Sequence, residues 1–315
     1  FNEKTLLKFF YIIILVYINM KTAKVKNLEI IPPKSESGLY ETDTFMPKMH
    51  QVCVAVGKRA SGKSTAIINL IERMKFDYCI AVSPTMNSNK ELMDRLKIEH
   101  TFEDVDDPSV IDKIKDIVKK EAEDLERYKD ELKRYNKLMK DLKEGKYMDD
   151  DLLLRFFGDE GDFMKPEHRW NGEKPRIAVI FDDMLGSGIY SRPRKLNGLS
   201  TYSRHVGQLK EGGAIGVSLF FMIQSFKCQT GGLNKVIRNQ CTSMCLFKTK
   251  DKQEMKDVAE SVSGEIEEDT FNKVYDTAIR EPYDFLYIDL HKKKEHLSMF
   301  RRRFDEFINP TEIEK

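Results

Sequence analysis

Cysteine is scarce in this chain and badly spaced for chemistry: the five are Cys53, Cys79, Cys228, Cys241 and Cys245. Cys241 and Cys245 could share a helix face, but no second Cys/His pair stands near enough to complete a tetrahedral metal site. Several lie inside apolar runs, which fits reduced core residues of an intracellular protein rather than a disulfide frame. Excess charge is missing too. Lys and Arg total 53 against 52 Asp and Glu, a formal net charge of +1, so the chain is no globally basic nucleic-acid coat. Any contact with a polyanion must be local. Long apolar runs are also absent. The run from Phe9 to Ile18 falls short of the roughly 20 residues a membrane helix needs, so stable membrane insertion is not expected. It is similar to a signal-peptide core, yet no small-residue cleavage site follows. The stretch reads as an extension ahead of Met20, with Met20 as the initiator.

What is present points to an α/β protein. The 315 residues are 40% hydrophobic and 33% charged, enough for one large domain or two small ones with a highly charged surface. The apolar stretch Val52-Cys53-Val54-Ala55-Val56 runs into Gly57-Lys58-Arg59-Ala60-Ser61-Gly62-Lys63-Ser64, and an apolar-periodic segment from Thr65 to Leu70 follows. This is G-x-x-x-x-G-K-[ST] between a buried strand and a helix. Glycine lets successive backbone N–H groups converge on one phosphate, and the helix aims its positive end at the same anion. Gly57, Ser61, Gly62, Lys63, Ser64 and Thr65 are therefore candidates to bind a nucleotide such as ATP. Lys63 would reach the outer phosphates, and the Ser64 hydroxyl would sit on Mg²⁺.

Further strands are expected at Tyr78–Val82, Arg176–Phe181, Val217–Ile223, Ser243–Lys248 and Asp284–Asp289, with helices near 251–261 and 268–279. Strands apolar throughout and alternating with helices predict a mostly parallel sheet covered by helices on both faces. Between them lies an insertion at about 108–160. In it Ile111, Ile114, Val118, Leu125, Tyr128, Leu132, Tyr135, Met139 and Leu142 recur at spacings of three and four, and only Glu121 breaks the register. Such a narrow seam suits a long amphipathic helix that either lies back on its own domain or reaches for another subunit. Thr85 to Asn89 is expected to cap a helix after the second strand. The segment 1–47 reads as an extension, 48–290 as the core and 291–315 as a basic tail. The clusters Lys292-Lys293-Lys294 and Arg301-Arg302-Arg303 serve either as contacts to nucleic-acid phosphates or as a solvated face.

Acids at the end of the third strand suit the other half of a nucleotide site. Asp182 is placed to hold Mg²⁺, which prefers oxygen ligands and keeps several waters, and Asp183 to polarise an attacking water. Gln224, at the end of the next strand, could report the state of the outer phosphate. Arg238, closing a short helix, could complete a neighbour's site, with Arg204 as a second candidate.

In that order the loop at 57–64, Ser83-Pro84-Thr85, Phe181-Asp182-Asp183, Arg204-His205, Gln224, and Ile237-Arg238-Asn239 before Cys245-Leu246-Phe247-Lys248 are similar to a known set. The chain resembles the viral genome-packaging ATPases of large eukaryotic DNA viruses and virophages, the poxvirus type, within the FtsK–HerA superfamily. The resemblance covers roughly 48–290. It implies a RecA-like P-loop ATPase core, with ATP and Mg²⁺ as cofactors. It also implies a homo-oligomeric ring, double-stranded DNA as a sequence-independent partner, and a capsid or portal-like protein. Location in the virion or the host-cell cytoplasm, at a viral factory, follows. By the same match Lys63 and Ser64 bind nucleotide, Asp182 the metal, Asp183 is the catalytic acid, Gln224 the sensor and Arg238 the finger acting in trans. Two departures stand out: many relatives carry Glu where Asp183 stands, and the stretch from Gly207 to Gly213 is lengthened. Other readings of the loop are another P-loop translocase or helicase, a nucleoside-type kinase, and an assembly scaffold that binds nucleotide only for structure.

Overall fold

The structure, a computed structural model, describes residues 42–85, 94–146, 150–158, 162–227, 232–262 and 266–310. The chain divides into two compact units at 1–39 and 40–315, and the first lies outside the described residues together with the apolar run before Met20. The helix cap expected over Thr85 to Asn89 lies largely outside them, and Cys228 does also.

Nine strands make one sheet: β1 (Val52–Val56), β2 (Tyr78–Val82), β3 (Ile98–Phe102), β4 (Ile177–Asp182), β5 (Ser218–Ile223), β6 (Ser243–Phe247), β7 (Phe285–Asp289), β8 (Phe300–Arg302) and β9 (Glu306–Ile308). Their order is β3-β2-β4-β5-β1-β6-β7-β8-β9. From β3 to β6 every neighbour is parallel, and from β6 to β9 every neighbour is antiparallel. The expected mostly parallel sheet is therefore what the chain forms, with β1 to β6 parallel and β7 to β9 added antiparallel. The physical reason lies in the connections. A parallel neighbour needs a connection that carries the chain back across the sheet to the starting edge, whereas the connection after β6 brings it back to the edge where β6 ended, so β7 runs the other way. That connection holds α7 (Lys252–Val262) and α8 (Glu268–Ala278).

Strands β1, β2, β5 and β6 are buried throughout, and alternate side chains feed two cores. Val52, Val54 and Val56 face one core with Ile80, Phe181 and Phe221, while Cys53 and Ala55 face the other with Ile67, Leu70 and Phe220. The second core is closed chiefly by α1 (Lys63–Met74), whose Ile67, Leu70, Ile71 and Met74 form its apolar stripe.

The insertion carries α2 (Val110–Lys143) and α3 (Asp150–Phe156). The seam of α2 packs in two halves. Ile111, Ile114 and Val118 sit in the first core, joined by Ala122; further along Leu138, outside the expected seam, is fully buried while Met139 is half-buried, and Tyr135 meets Phe156 of α3 edge-on at 5.6 Å. Glu121, the break in the seam, accepts a hydrogen bond from Trp170 Nε1 at 2.8 Å, so the missing apolar residue is a polar latch. Of the two fates open to this helix, it lies back on its own domain. The remaining helices are α4 (Gly188–Ser191), α5 (Arg194–Tyr202), which runs into a 3₁₀ turn at Ser203–His205, and α6 (Lys235–Asn239).

The segment read as a basic tail contributes β8 and β9 instead. Arg301 is 1% exposed and donates to the carbonyls of Phe45 and Phe304, and Arg302 and Arg303 both bind the buried carboxylate of Asp284. Lys293 donates to Thr42 and Asp43. These cations close the fold's own edge, because buried guanidinium groups need acceptors that the neighbouring segments supply.

Candidate functional site

β1 delivers the chain to the loop at the C-terminal ends of the parallel strands. The Gly57 N–H donates to Ile223 O at 3.1 Å, tying the loop's first residue to the end of β5. A β-carbon on Gly57 would come within 2.7 Å of both Phe247 Cβ and Ser61 Oγ, so only glycine fits. Gly62, at φ 98°, turns the chain into α1 as its N-cap. That cap makes no side-chain hydrogen bond, and the first turn holds no acidic residue. The amides that a Ser or Asp cap would satisfy elsewhere thus point out of the helix start toward the loop. Ser61 Oγ is buried with no partner among the described residues. An orphaned hydroxyl beside an uncapped helix start suits an oxyanion.

Lys63 folds over this loop, its Nζ donating to Gly57 O at 2.6 Å and Lys58 O at 2.9 Å. Burial lowers its ammonium below the usual lysine value, while the charges of Asp182 and Asp183 pull it back up. The same groups meet from the other side. Asp182 is pushed above the usual carboxylate range, first by burial and then by the negative charge of Asp183, against the Asp183 N–H and the Lys63 ammonium. The loop at 57–64 and the acids at 182–183 therefore share one sheet edge and one electrostatic field. Strand pairing explains how. Asp182 pairs with Met222, and Met222 pairs with Ala55, so β5 alone separates the acids from the strand feeding the loop.

Asp183 itself sits at φ 53°, a left-handed conformation that a non-glycine residue adopts only when its surroundings hold it there. It is exposed. Gln224 follows β5 directly and is exposed beside Gly57. Ser64 and Thr65 open α1 at the same edge.

The two candidate arginines lie elsewhere. Arg238, at the end of α6, donates to Leu233 O at 2.7 Å and Phe226 O at 3.4 Å, and its guanidinium lies 5.6 Å from the Phe226 ring centroid. Arg204 is exposed and lines a cavity of about 180 Å³ with His50 and Asn239, at the N-terminal edge of the parallel strands. That edge is opposite the loop. Arg204 is therefore not brought to Lys63 within one subunit, while Arg238 is tied to Phe226, two residues beyond Gln224.

Two groups at the site had no signal in the sequence. Tyr190 of α4 buries a phenol with no partner among the described residues; burial and the nearby charge of Asp182 both hold it protonated, above the usual tyrosine range. Tyr283, Arg303, Phe304 and Asp305 join the start of α1 in walling a cavity of about 760 Å³. Among the described residues no group of three or more His, Cys, Asp or Glu could hold a metal ion. No helix among them is long and apolar enough to cross a membrane.

No family model matches the chain, and no curated protein matches it. Among solved structures it is similar to the genome packaging NTPase B204 from Sulfolobus turreted icosahedral virus 2 in complex with AMP. That match has 14% identity, covers 82% of this chain and 98% of that one, and has a TM-score of 0.42. It is similar also to B204 of Sulfolobus Turreted Icosahedral Virus, a DNA-packaging ATPase, at 14% identity over 81% of this chain and 97% of that one, TM-score 0.44. A third is the pCW3 conjugation coupling protein TcpA with ATPγS, at 15% identity and TM-score 0.40, covering 84% of this chain and 64% of that one.

Proposed function

We propose that this chain is an ATP-hydrolysing motor that moves double-stranded DNA into a viral capsid. The observation that carries hydrolysis is the meeting of Lys63, Asp182 and Asp183 at one sheet edge with a single strand between them. Packaging as the purpose is supported by the succession of motifs from the loop to Ile237-Arg238-Asn239. In this reading the amides of the loop and of α1's first turn bind the phosphates. Lys63 leaves the Gly57 and Lys58 carbonyls for the outer phosphates, and burial strengthens that contact. Asp183 accepts a proton from, or orients, the attacking water, and Gln224 senses the outer phosphate from the end of β5.

The donors suit Mg²⁺: the Ser64 hydroxyl and the Asp182 carboxylate are hard oxygens, and Asp182 is burdened by burial and a like charge that a cation would relieve. When bound, Mg²⁺ would neutralise charge developing on the transferred phosphoryl group. For the arginine acting in trans, Arg204 comes first, since it is exposed at the opposite edge while Arg238 is held by two carbonyls of its own chain. A homo-oligomeric ring follows, with a capsid or portal-like partner, at work in the virion or in the host cytoplasm.

The test is ATP turnover with and without double-stranded DNA at low and high salt, because phosphate contacts weaken steeply with ionic strength. Turnover should rise with DNA, and Lys63→Ala and Asp183→Asn should each lower it by about 10²-fold or more. Full turnover in either variant overturns the site. Stimulation by a nucleoside instead of DNA favours a kinase.

A further inference from the structure

Strand order gives any triphosphate on this loop a direction. The acids of β4 lie on one side of β1, beyond β5, while β6, β7 and β8 lie on the other. An outer phosphate drawn toward Asp182 and Asp183 therefore sends the rest of the molecule toward β7 and β8. There the structure holds the cavity of about 760 Å³, within the size range of small-molecule sites.

Its walls join the start of α1 to Tyr283 and Phe285 and to Arg303, Phe304 and Asp305 of the segment read as a tail. Tyr283 stands 71% exposed at φ 66°, and its ring comes within 3.4 Å of the position a β-carbon on Gly62 would take. Phe304 packs against Phe285 with ring centroids 4.9 Å apart. Between them the fully buried Asp284 carboxylate accepts Arg303 Nε at 2.7 Å and Arg302 Nε at 3.0 Å, and also the N–H groups of Arg280 and Glu281. One buried anion thus fixes both turns, the one presenting Tyr283 and the one presenting Arg303. An exposed aromatic held in a left-handed conformation beside a phosphate loop, over a cavity with a second ring and a cation, matches the flat, π-rich end of a nucleotide.

We infer that this cavity takes the nucleobase and ribose of the bound nucleotide, with the base stacked on Tyr283 and bounded by Phe304. The inference rests on the phosphate reading of the loop, and the test separates the two. ATP and inorganic tripolyphosphate are each titrated into the full chain by calorimetry, for the wild type, Tyr283→Ala and Tyr283→Phe. Loss of the ring should weaken ATP by about 5- to 100-fold and leave tripolyphosphate unchanged, with Tyr283→Phe close to wild type. Unchanged ATP affinity in Tyr283→Ala overturns the stacking role. So does an equal loss for tripolyphosphate, which would mean that Tyr283 supports the loop through Gly62. If wild type binds neither probe, the phosphate reading falls and this one with it. Because Tyr283 is exposed, removing its ring opens no core cavity, and an unchanged melting temperature in Tyr283→Ala is expected.

Discussion

At His50 the half-buried ring bonds Ile215 O at 3.0 Å, and desolvation lowers its imidazole from the usual 6.5 to about 4. The unfolded chain therefore binds a proton between those values that the folded chain refuses. Stability attached to His50 is complete above pH 6.5 and is lost as pH falls toward 4, up to about 3 kcal/mol. Chemical denaturation from pH 7 to 4.5 should show this slope, and His50→Gln should flatten it. An identical slope in the variant would show that other groups carry the acid sensitivity. His50 had no signal as a titrating group in the sequence, because its partner lies 165 residues away. The Lys63-Ser64 pair and the Asp182-Asp183 pair were legible for the opposite reason. The acids close the apolar run of β4, and Lys63-Ser64 opens a helix after the glycine loop that closes the apolar run of β1, so each stands where a buried strand hands polar residues to one sheet edge.

At the scale of elements, α2 shows how far periodicity carries. Spacings of three and four gave its length and its seam, with Ile111, Ile114 and Val118 on the buried side. They could not say what the seam rests on, nor that Glu121 answers Trp170. Since the first half of α2 is part of the core, Ile114→Ala should cost about 2–5 kcal/mol, read as a lower urea midpoint at unchanged slope. A loss below about 1 kcal/mol would make the helix peripheral. The strands β3, β8 and β9 went unread for a related reason. They are short and lie at or near the sheet's edges, and their side chains alternate in burial or are charged, as in Ile98-Glu99-His100 and Phe300-Arg301-Arg302. Lone edge strands of this kind carry too few apolar residues to stand out.

For the whole molecule, the distance between Arg204 and the loop is the feature with consequence. A residue at the N-terminal edge of the parallel strands can serve a phosphate site only in another copy, so the proposed ring predicts complementation. Subunits carrying Lys63→Ala and subunits carrying Arg204→Ala should each be nearly inactive alone, and mixing them should restore part of the turnover. No recovery at any mixing ratio would sink the trans assignment and leave Arg204 a surface residue.

The sequence alone determined most of the parallel strands, the glycine loop at 57–64 and the acids at 182–183. Those features rest on local rules: apolar continuity for a strand buried on both faces, glycine where no β-carbon fits, and a polar residue where the strand ends. Tertiary structure alone decided that β5 inserts between β1 and β4, that Arg301, Arg302 and Arg303 turn inward, and that Tyr283 faces Gly62. Each of these joins segments far apart in the chain, and the partner that satisfies a buried charge or places a ring is chosen by packing, which no local period records.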